Sequence, residues 1–217
     1  MEQKIQKDYE LRQNYKTTRN YENLTKRIYD GNGTFNIPEL MPTSYEPCEF
    51  IGFNKHKDCK ERAEKGVHFF LDDYQFNRIW NQIDRYVPSL KQYKCVLSPD
   101  FSIYEDFPEA LQIYNHYRKH WIGAYLQEHG IKVIPSIAWS GQYSYRWCFD
   151  GEPVGGAVAV SSVGTQRKKY TKETFLMGYQ EMIRRLKPET ILFYGKVPEE
   201  CAGNIIRFAA FQEKFID

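Results

Sequence analysis

Residues 157–195, AVAVSSVGTQRKKYTKETFLMGYQEMIRRLKPETILFYG, indicate the fold class of this chain. Ala157 to Val160 is small, apolar and partly β-branched on both faces, which is typical of a fully buried parallel strand. Thr171 can cap a helix with one apolar face, and Pro188 stops that helix before a second strand at Thr190 to Gly195. This order of strand, helix and strand predicts a βαβ unit.

The same alternation extends toward the amino terminus. Apolar runs predict strands at 67–71, 95–97 and 131–139, and helical spacing predicts helices over 74–88 and from Pro108 to Gly130. We therefore expect an α/β fold with a mostly parallel five-stranded sheet of βα units. We expect either an open sheet or an incomplete TIM-barrel-like arrangement, because a full barrel needs roughly 200–250 residues in its folded part.

The amino-terminal part of the sequence differs in character from the rest. Residues 1–34 are polar and basic, carry interleaved tyrosines and end at the turn signal DGNG. Prolines at 38, 42 and 47 then delay regular structure until about residue 48. We predict a basic-aromatic arm over 1–34 and a single α/β domain over 35–217. If the arm is solvated, its deletion should leave the melting temperature nearly unchanged. The alternative structure for the arm is a helix packed permanently on the domain, and its deletion would lower the melting temperature.

Bulk composition excludes several classes of protein. The chain has 217 residues, 30 Lys+Arg against 28 Asp+Glu, and 41% hydrophobic residues. This charge is too small for a general nucleic-acid or membrane adhesive, and the hydrophobic content excludes global disorder. No apolar run approaches the ~18 residues of a membrane span, and no secretory signal is evident. Five widely spaced cysteines favour a reducing compartment, so we expect a cytoplasmic location.

Carboxylates follow two neighbouring predicted strands. Asp72 and Asp73 end the first run, and Asp100 ends the second. Close carboxylates can share a proton or bind a divalent cation, so Asp72, Asp73 and Asp100 are candidate catalytic residues. Asp73 and Asp100 are candidate ligands of Mg2+ or Mn2+. The alternative is that Asp72 or Asp73 caps the next helix, with Gln75 completing a capping box.

A second candidate site follows the strand that ends at Val160. Ser161, Ser162 and Gly164, with the nearby cations Arg167 and Lys168, offer amides, hydroxyls and positive charge to a phosphate. The glycine spacing of a P-loop is absent, and a solvated turn between strand and helix explains the segment equally well.

A third candidate site is the aromatic insertion over 139–153. Trp139, Tyr145, Arg146 and Trp147 combine stacking rings with a cation, which suits nucleobases or a protein partner. Packing of these rings into the core beneath a long loop is the alternative.

Cysteine and histidine residues give weaker signals. Two histidines one helical turn apart, His116 and His120, lie off the predicted apolar stripe and are expected at the surface. Cys148 is expected to be a buried packing cysteine, because no base for a nucleophile can be assigned. Four further residues have ligand types suited to zinc but match no common finger spacing: Cys48, His56, Cys59 and His68.

Six short motifs occur in a specific order: GVHFFLDD at 66–73, LSPD at 97–100, VIPSIAW at 133–139, CFDG at 148–151, VAVSSVG at 158–164 and FYG at 193–195. Together they resemble a family of domains of unknown function, number 4417, over roughly residues 40–210. The resemblance implies an origin in phages, prophages or other mobile elements of Firmicutes and a cytoplasmic setting. It supplies no established catalytic residue.

Two classes of function follow from these observations. The first is an accessory protein of a phage or mobile element that binds nucleic acid or a host protein, such as a host-defence system that it inhibits. The alternative is a metal-dependent phosphoester or nucleotide hydrolase that uses the strand-end carboxylates. A pocket holding an ion beside Asp72, Asp73 and Asp100 would favour the enzyme, and aspartates that only cap helices would favour the binding protein.

Overall fold

A computed structural model of the chain describes residues 28–210 and Glu213. Its parallel strands form two sheets, of four and three strands. The first sheet contains β3 (Glu49–Gly52), β4 (Lys65–His68), β5 (Cys95–Leu97) and β6 (Val133–Ile134). The second contains β7 (Ala157–Ser161), β8 (Thr190–Tyr194) and β9 (Ile205–Phe208). Two short strands, β1 (Gly31–Asn32) and β2 (Ile37–Pro38), pair antiparallel apart from these sheets.

The two parallel sheets meet between β6 and β7. Ser136 and Ala159 form a parallel bridge there. The Ala159 amide donates to the Pro135 carbonyl at 2.8 Å, and the Ile137 amide donates to the Ala159 carbonyl at 2.7 Å. Spatial order therefore follows chain order from β3 to β9.

The number of strands corrects the sequence prediction. The five predicted strands correspond to β4 through β8, and the structure adds β3 and β9 at the two ends of the order. Both added strands contain a charged residue, Glu49 in β3 and Arg207 in β9, and neither has a fully buried residue. Their apolar runs are short and interrupted, so the sequence gives no clear strand signal for them.

The helices are α1 (Asp73–Phe76), α2 (Arg78–Asn81), α3 (Val87–Leu90), α4 (Glu109–Glu128) and α5 (Lys169–Leu186), with 3₁₀ turns at Phe53–Lys55, Arg62–Glu64, Ile83–Arg85 and Gln142–Arg146. The continuous helix predicted over 74–88 is wrong, because the backbone leaves helical geometry at Gln82 (φ −143°, ψ 49°). Its apolar stripe is nevertheless buried, with Phe76, Ile79 and Ile83 at most 1% exposed. Burial of that stripe decides the path of this segment more than helix continuity does.

The segment around β1 and β2 packs along α4. The Tyr29 ring meets the Trp121 ring edge-on at 5.9 Å, and the Tyr29 hydroxyl donates to Glu128 Oε2 at 2.7 Å. The Met41 amide donates to Gln127 Oε1 at 2.9 Å. The carboxyl end of the predicted arm therefore contacts the domain, whereas residues 1–27 lie outside the described residues and the prediction for them stays a prediction.

Side chains from both outer strands meet on the inner face of the sheets. Phe50 of β3 and Phe208 of β9 stack with ring centroids 4.8 Å apart. Beneath them lie small and branched residues such as Ala159 and Leu192. The described strands show no backbone pairing between β3 and β9, so no closed barrel forms. In the described part of the chain, no helix combines the length and apolarity that a membrane span requires.

Candidate functional site

A cavity of about 940 Å³ opens at the carboxyl ends of the parallel strands. Its walls come from the ends of β3, β4, β8 and β9 and from the loops that follow β5, β6 and β7. Parallel α/β folds bind ligands at this end, because short loops from several strands converge there. The volume suits a small organic molecule.

The structure brings four of the predicted site residues to this cavity: Asp72, Asp100, Trp139 and Ser161. The remaining predicted site residues do not line it: Asp73, Tyr145, Arg146, Trp147, Ser162, Gly164, Arg167 and Lys168. Each of the four predicted residues that line the cavity lies at the end of a strand or in the loop that follows it.

Asp72 and Asp73 have different roles although they are adjacent. Asp72 occupies the N-cap position of α1, yet its side chain makes no capping hydrogen bond to the backbone. It accepts instead from Gln75 Nε2 at 3.3 Å at the cavity wall. The Asp73 carboxylate accepts from the Ser102 hydroxyl at 2.8 Å and from the Ser102 amide at 3.2 Å. Asp73 therefore holds the loop after β5.

The three aspartates do not form one three-ligand metal site. Among residues 28–210 and Glu213, one group of three ligating side chains has its donor atoms within 4.8 Å of one another. That group contains none of the three aspartates. The metal role of Asp73 and Asp100 as a pair stays a prediction.

Asp100 is partly buried at the end of the β5 segment. Burial raises the pKa of its carboxyl to about 7, with the nearby charge of Lys119 opposing the rise and that of Asp73 adding to it. A carboxyl group with a pKa near neutral pH can both donate and accept a proton, which is the property that general acid–base chemistry needs.

Asp100→Asn is expected to change the pH dependence of stability. The unfolded aspartate ionises at a pKa of ~3.9, so between that value and about 7 the folded wild type holds one proton more than the unfolded chain. Wild-type stability therefore falls across this interval through Asp100, whereas asparagine contributes no such fall. Urea denaturation should show a stability difference, variant minus wild type, that is more positive at pH 8 than at pH 4. A difference independent of pH would contradict the shifted pKa.

Aromatic rings form much of the cavity wall. Most of these rings were not predicted as site residues from the sequence. Phe70 and Tyr194 stack with centroids 4.9 Å apart, and His68 lies 5.1 Å from the Tyr194 ring. On another wall, Trp139 lies 5.4 Å from Phe175. Alternation along β4 could have indicated that His68 and Phe70 share the inner face.

The rim of the cavity is polar. The Tyr170 hydroxyl donates to Glu105 Oε1 at 2.5 Å and joins the loop after β5 to the start of α5. Tyr104 and Lys55 also line the opening. Tyr104 and Glu105 share a loop with Asp100, and that proximity in sequence was the available signal for them.

The predicted phosphate segment is a turn whose serine hydroxyls already form hydrogen bonds within the protein. The Ser162 hydroxyl donates to the Lys196 carbonyl at 2.6 Å, and the Ser161 hydroxyl accepts from the Val163 amide at 3.2 Å. Arg167 and Lys168 are exposed and do not line the cavity. The phosphate-binding role of the segment stays a prediction, and the segment contributes Ser161 to the cavity wall.

Most of the aromatic insertion packs against the rest of the chain, whereas Trp139 lines the cavity, and the ligand-binding role of its residues stays a prediction. Trp147 is fully buried, and its Nε1 donates to Glu109 Oε1 at 3.0 Å. Arg146 Nη2 pairs with Glu109 Oε2 at 2.5 Å, and Tyr145 packs 5.9 Å from the Phe149 ring. Arg146 and Trp147 anchor the loop to α4 through Glu109, and the buried Trp147 ring has no face open to a ligand.

Cys148 is the buried packing cysteine that the sequence predicted. It is fully buried, and burial raises the pKa of its thiol to about 12. The Ser144 hydroxyl donates to its Sγ at 3.7 Å. A thiol in this state is a poor nucleophile at neutral pH.

The four residues with zinc ligand types do not converge. Cys48 Sγ lies 3.8 Å from Cys95 Sγ, His56 stacks on Phe53 at 4.6 Å, and His68 lines the strand-end cavity. Cys48, His56 and His68 therefore belong to separate environments.

His116 and His120 are buried at 2% and 0% exposure, so the expectation of surface histidines is wrong. The segment through Pro38 and the loop through Asp150 cover the helix face that carries them. Burial lowers the pKa of both imidazoles. Together with Glu152 they form a compact group, here called the buried triad.

Comparison with known proteins gives a family and two relatives. Residues 29–212 match the family described as Domain of unknown function (DUF4417). The chain is 38% identical over 174 residues to the Gene 1 protein of Mycobacterium phage L5, covering 79% of this chain and 76% of that protein. It is 36% identical over 174 residues to the Gene 1 protein of Mycobacterium phage D29, covering 79% of this chain and 64% of that protein. No solved structure matches the chain.

Proposed function

The chain belongs to the family described as Domain of unknown function (DUF4417), which it shares with phage relatives, and we propose that its strand-end cavity binds a small aromatic molecule of the nucleobase or nucleoside class. In this proposal Asp100 exchanges a proton with the bound ligand. The carrying observation is that an aromatic-walled cavity contains a carboxyl group with a pKa of about 7.

The aromatic walls supply the affinity in this proposal. Trp139, Phe70 and Tyr194 present ring faces or edges to a cavity of about 940 Å³. Stacking of a base on an aromatic side chain contributes about 1–3 kcal/mol per base. Hydroxyl and carboxyl groups between the rings, including Ser161, can pair with the polar edges of a heterocycle.

The charges of the cavity favour a ligand that is neutral or positive. Three carboxylates line it, from Asp72, Asp100 and Glu105, whereas Lys55 provides an ammonium group and the described lining residues include no arginine. A phosphate monoester would meet these carboxylates without a matching set of cations. We therefore assign the nucleoside rather than the nucleotide to this cavity.

Calorimetric titration can test the assignment with adenosine, guanosine, cytidine, uridine and their 5′-monophosphates. We expect at least one nucleoside to bind more tightly than its monophosphate. Asp100→Asn is expected to weaken that binding about tenfold, equivalent to about 1.4 kcal/mol. Asp106→Asn is the matched control, because Asp106 is an exposed aspartate in the same loop that does not line the cavity.

Two results would contradict the proposal. One is no binding of any nucleoside at millimolar concentration by the folded wild type. The other is an equal loss of affinity in the Asp100 and Asp106 variants, which would remove the specific role of Asp100.

A metal-dependent hydrolase is the second candidate, and the presence of Asp72 and Asp100 on one cavity favours it. It predicts that Asp100→Asn loses Mg2+ or Mn2+ binding with the fold intact, because asparagine keeps the volume but lacks the charge that a hard cation prefers. Calorimetric titration with each ion measures this loss, with Asp106→Asn as the control. Equal and non-zero ion binding by wild type and Asp100→Asn would remove Asp100 from the metal site.

Binding of nucleic acid or a host protein stays a prediction that concerns mainly the arm. Within the aromatic insertion, Trp147 is buried and Arg146 is paired with Glu109, so these two residues give it little support. Residues 1–27 lie outside the described part of the chain. A cytoplasmic location, inhibition of a host defence and a Firmicutes source likewise remain expectations.

A further inference from the structure

The buried triad lies apart from the strand-end cavity. His116 and His120 are one turn apart on α4, and Glu152 lies near the carboxyl end of the aromatic insertion. One donor atom from each lies within 4.8 Å of the others, and the Glu152 side chain is fully buried. None of the three residues lines the cavity.

Backbone carbonyls orient both imidazole rings. His120 Nδ1 lies 2.9 Å from the Pro38 carbonyl oxygen, and His116 Nε2 lies 3.0 Å from the Asp150 carbonyl oxygen. A carbonyl only accepts, so each of these ring nitrogens carries a hydrogen. In a neutral ring the opposite nitrogen then bears a lone pair. Ligating histidines in metal sites are held in this way by an outer hydrogen bond.

Glu152 completes the arrangement with an unsatisfied oxygen. Its Oε1 accepts from the Lys119 ammonium and lies 3.0 Å from His120 Nε2. Its Oε2 is buried and has no hydrogen-bond partner. A neutral His120 would therefore direct a lone pair at a carboxylate, and a second carboxylate oxygen would be buried without a partner. A cation among these atoms removes both costs.

We propose that His116 Nδ1, His120 Nε2 and the Glu152 carboxylate bind one divalent transition-metal ion. Two imidazole nitrogens and one carboxylate oxygen suit zinc and its neighbours better than Mg2+ or Ca2+, which prefer all-oxygen sites. The site joins α4 to the carboxyl end of the aromatic insertion, and the contact of His120 with the Pro38 carbonyl adds the amino-terminal segment. Its burial points to a stabilising ion rather than one that meets substrate.

Lys119 orients the carboxylate in this site. Its ammonium donates to the Ser136 carbonyl at 3.0 Å as well as to Glu152 Oε1, which leaves Oε2 for the ion. The competing arrangement has no metal and a doubly protonated His120 that donates to both Pro38 and Glu152.

Metal uptake by the full chain distinguishes the two arrangements. Protein stripped with a chelator and dialysed is titrated with Zn2+ and, separately, with Co2+. We expect about one equivalent of either ion to bind, a visible absorption band for bound Co2+, and a rise in melting temperature of about 5–10 °C at a hundredfold excess of Zn2+ over its dissociation constant. Nitrogen-15 NMR of the wild type should show Zn2+ displacing the signals of His116 Nδ1 and His120 Nε2.

Variants assign the ion to the triad. His120→Asn and Glu152→Gln are expected to abolish the Co2+ band. His129→Gln, at the C-cap of the same helix and outside the triad, and Asp100→Asn, in the cavity, should retain it. If a variant fails to fold, the imidazole signals of the wild type decide the question alone. The proposal is overturned if folded wild type takes up no Zn2+ or Co2+, or if uptake occurs while both imidazole signals stay unchanged. Loss of uptake in Asp100→Asn alone would also overturn it and assign the ion to the cavity.

Discussion

Lys119→Met is expected to destabilise the protein by about 3–5 kcal/mol, which is a large effect for a single substitution. Lys119 and Glu152 form an ion pair whose side chains are 4% and 0% exposed. Removal of the ammonium leaves the Glu152 carboxylate buried and uncompensated. Urea denaturation in the presence of EDTA measures the loss independently of any bound metal.

Two further variants interpret that result. Lys172→Met removes an ammonium that pairs with Glu200 at 2.6 Å, with side chains 39% and 47% exposed, and should cause no measurable loss. The double variant Lys119→Met with Glu152→Leu removes both charges and should be more stable than Lys119→Met alone. A Lys119→Met protein as stable as Lys172→Met would show that the buried ion pair does not exist.

Trp147→Ala is the second large effect, with an expected loss of about 3–5 kcal/mol. The indole is fully buried, packs 5.6 Å from the His116 ring and donates its N–H to Glu109. Alanine would leave a cavity and remove the hydrogen bond to Glu109. Tyr74→Ala, at a tyrosine that is 80% exposed, is the control and should stay within about 0.5 kcal/mol of wild type.

The same variant tests whether the aromatic insertion binds a ligand. A packing role predicts lost stability, measured by urea denaturation, for Trp147→Ala. A binding role predicts unchanged stability and lost affinity for a partner. Stability equal to that of Tyr74→Ala would return Trp147 to the set of binding residues.

The parallel strands could largely be predicted because buried strands leave an uninterrupted signal. Ala157 to Val160 is apolar at every position, and its neighbour from Ile191 to Tyr194 is almost as uniform. The outer strands β3 and β9 each contain a charged residue and lack that signal. Central position in a sheet therefore makes a strand visible in the sequence, and edge position hides it.

The cavity was only partly predictable. Asp72 and Asp100 were found because polar residues directly after a parallel strand converge at one end of the sheet. Asp73, one residue further, forms its hydrogen bonds with Ser102 instead, and no sequence pattern distinguishes two adjacent aspartates. Trp139 and Trp147 were equally good candidates by composition, but only tertiary packing decides which indole faces the cavity.

The buried triad escaped prediction for a different reason. Helical periodicity locates one apolar face, and His116 and His120 lie off it. The structure covers their face with two segments distant in sequence, represented by Pro38 and Asp150. A pattern within one helix contains no information about a second covering layer.

The strand order described above affects how the chain is completed during synthesis. Every strand from β4 to β9 lies beside the strand made before it, so a nascent chain can add each one as it leaves the ribosome. The stacking of Phe50 on Phe208 must wait for the last strand, more than a hundred and fifty residues later. Since both rings line the cavity, its wall is complete only when the last strand of the sheet is in place.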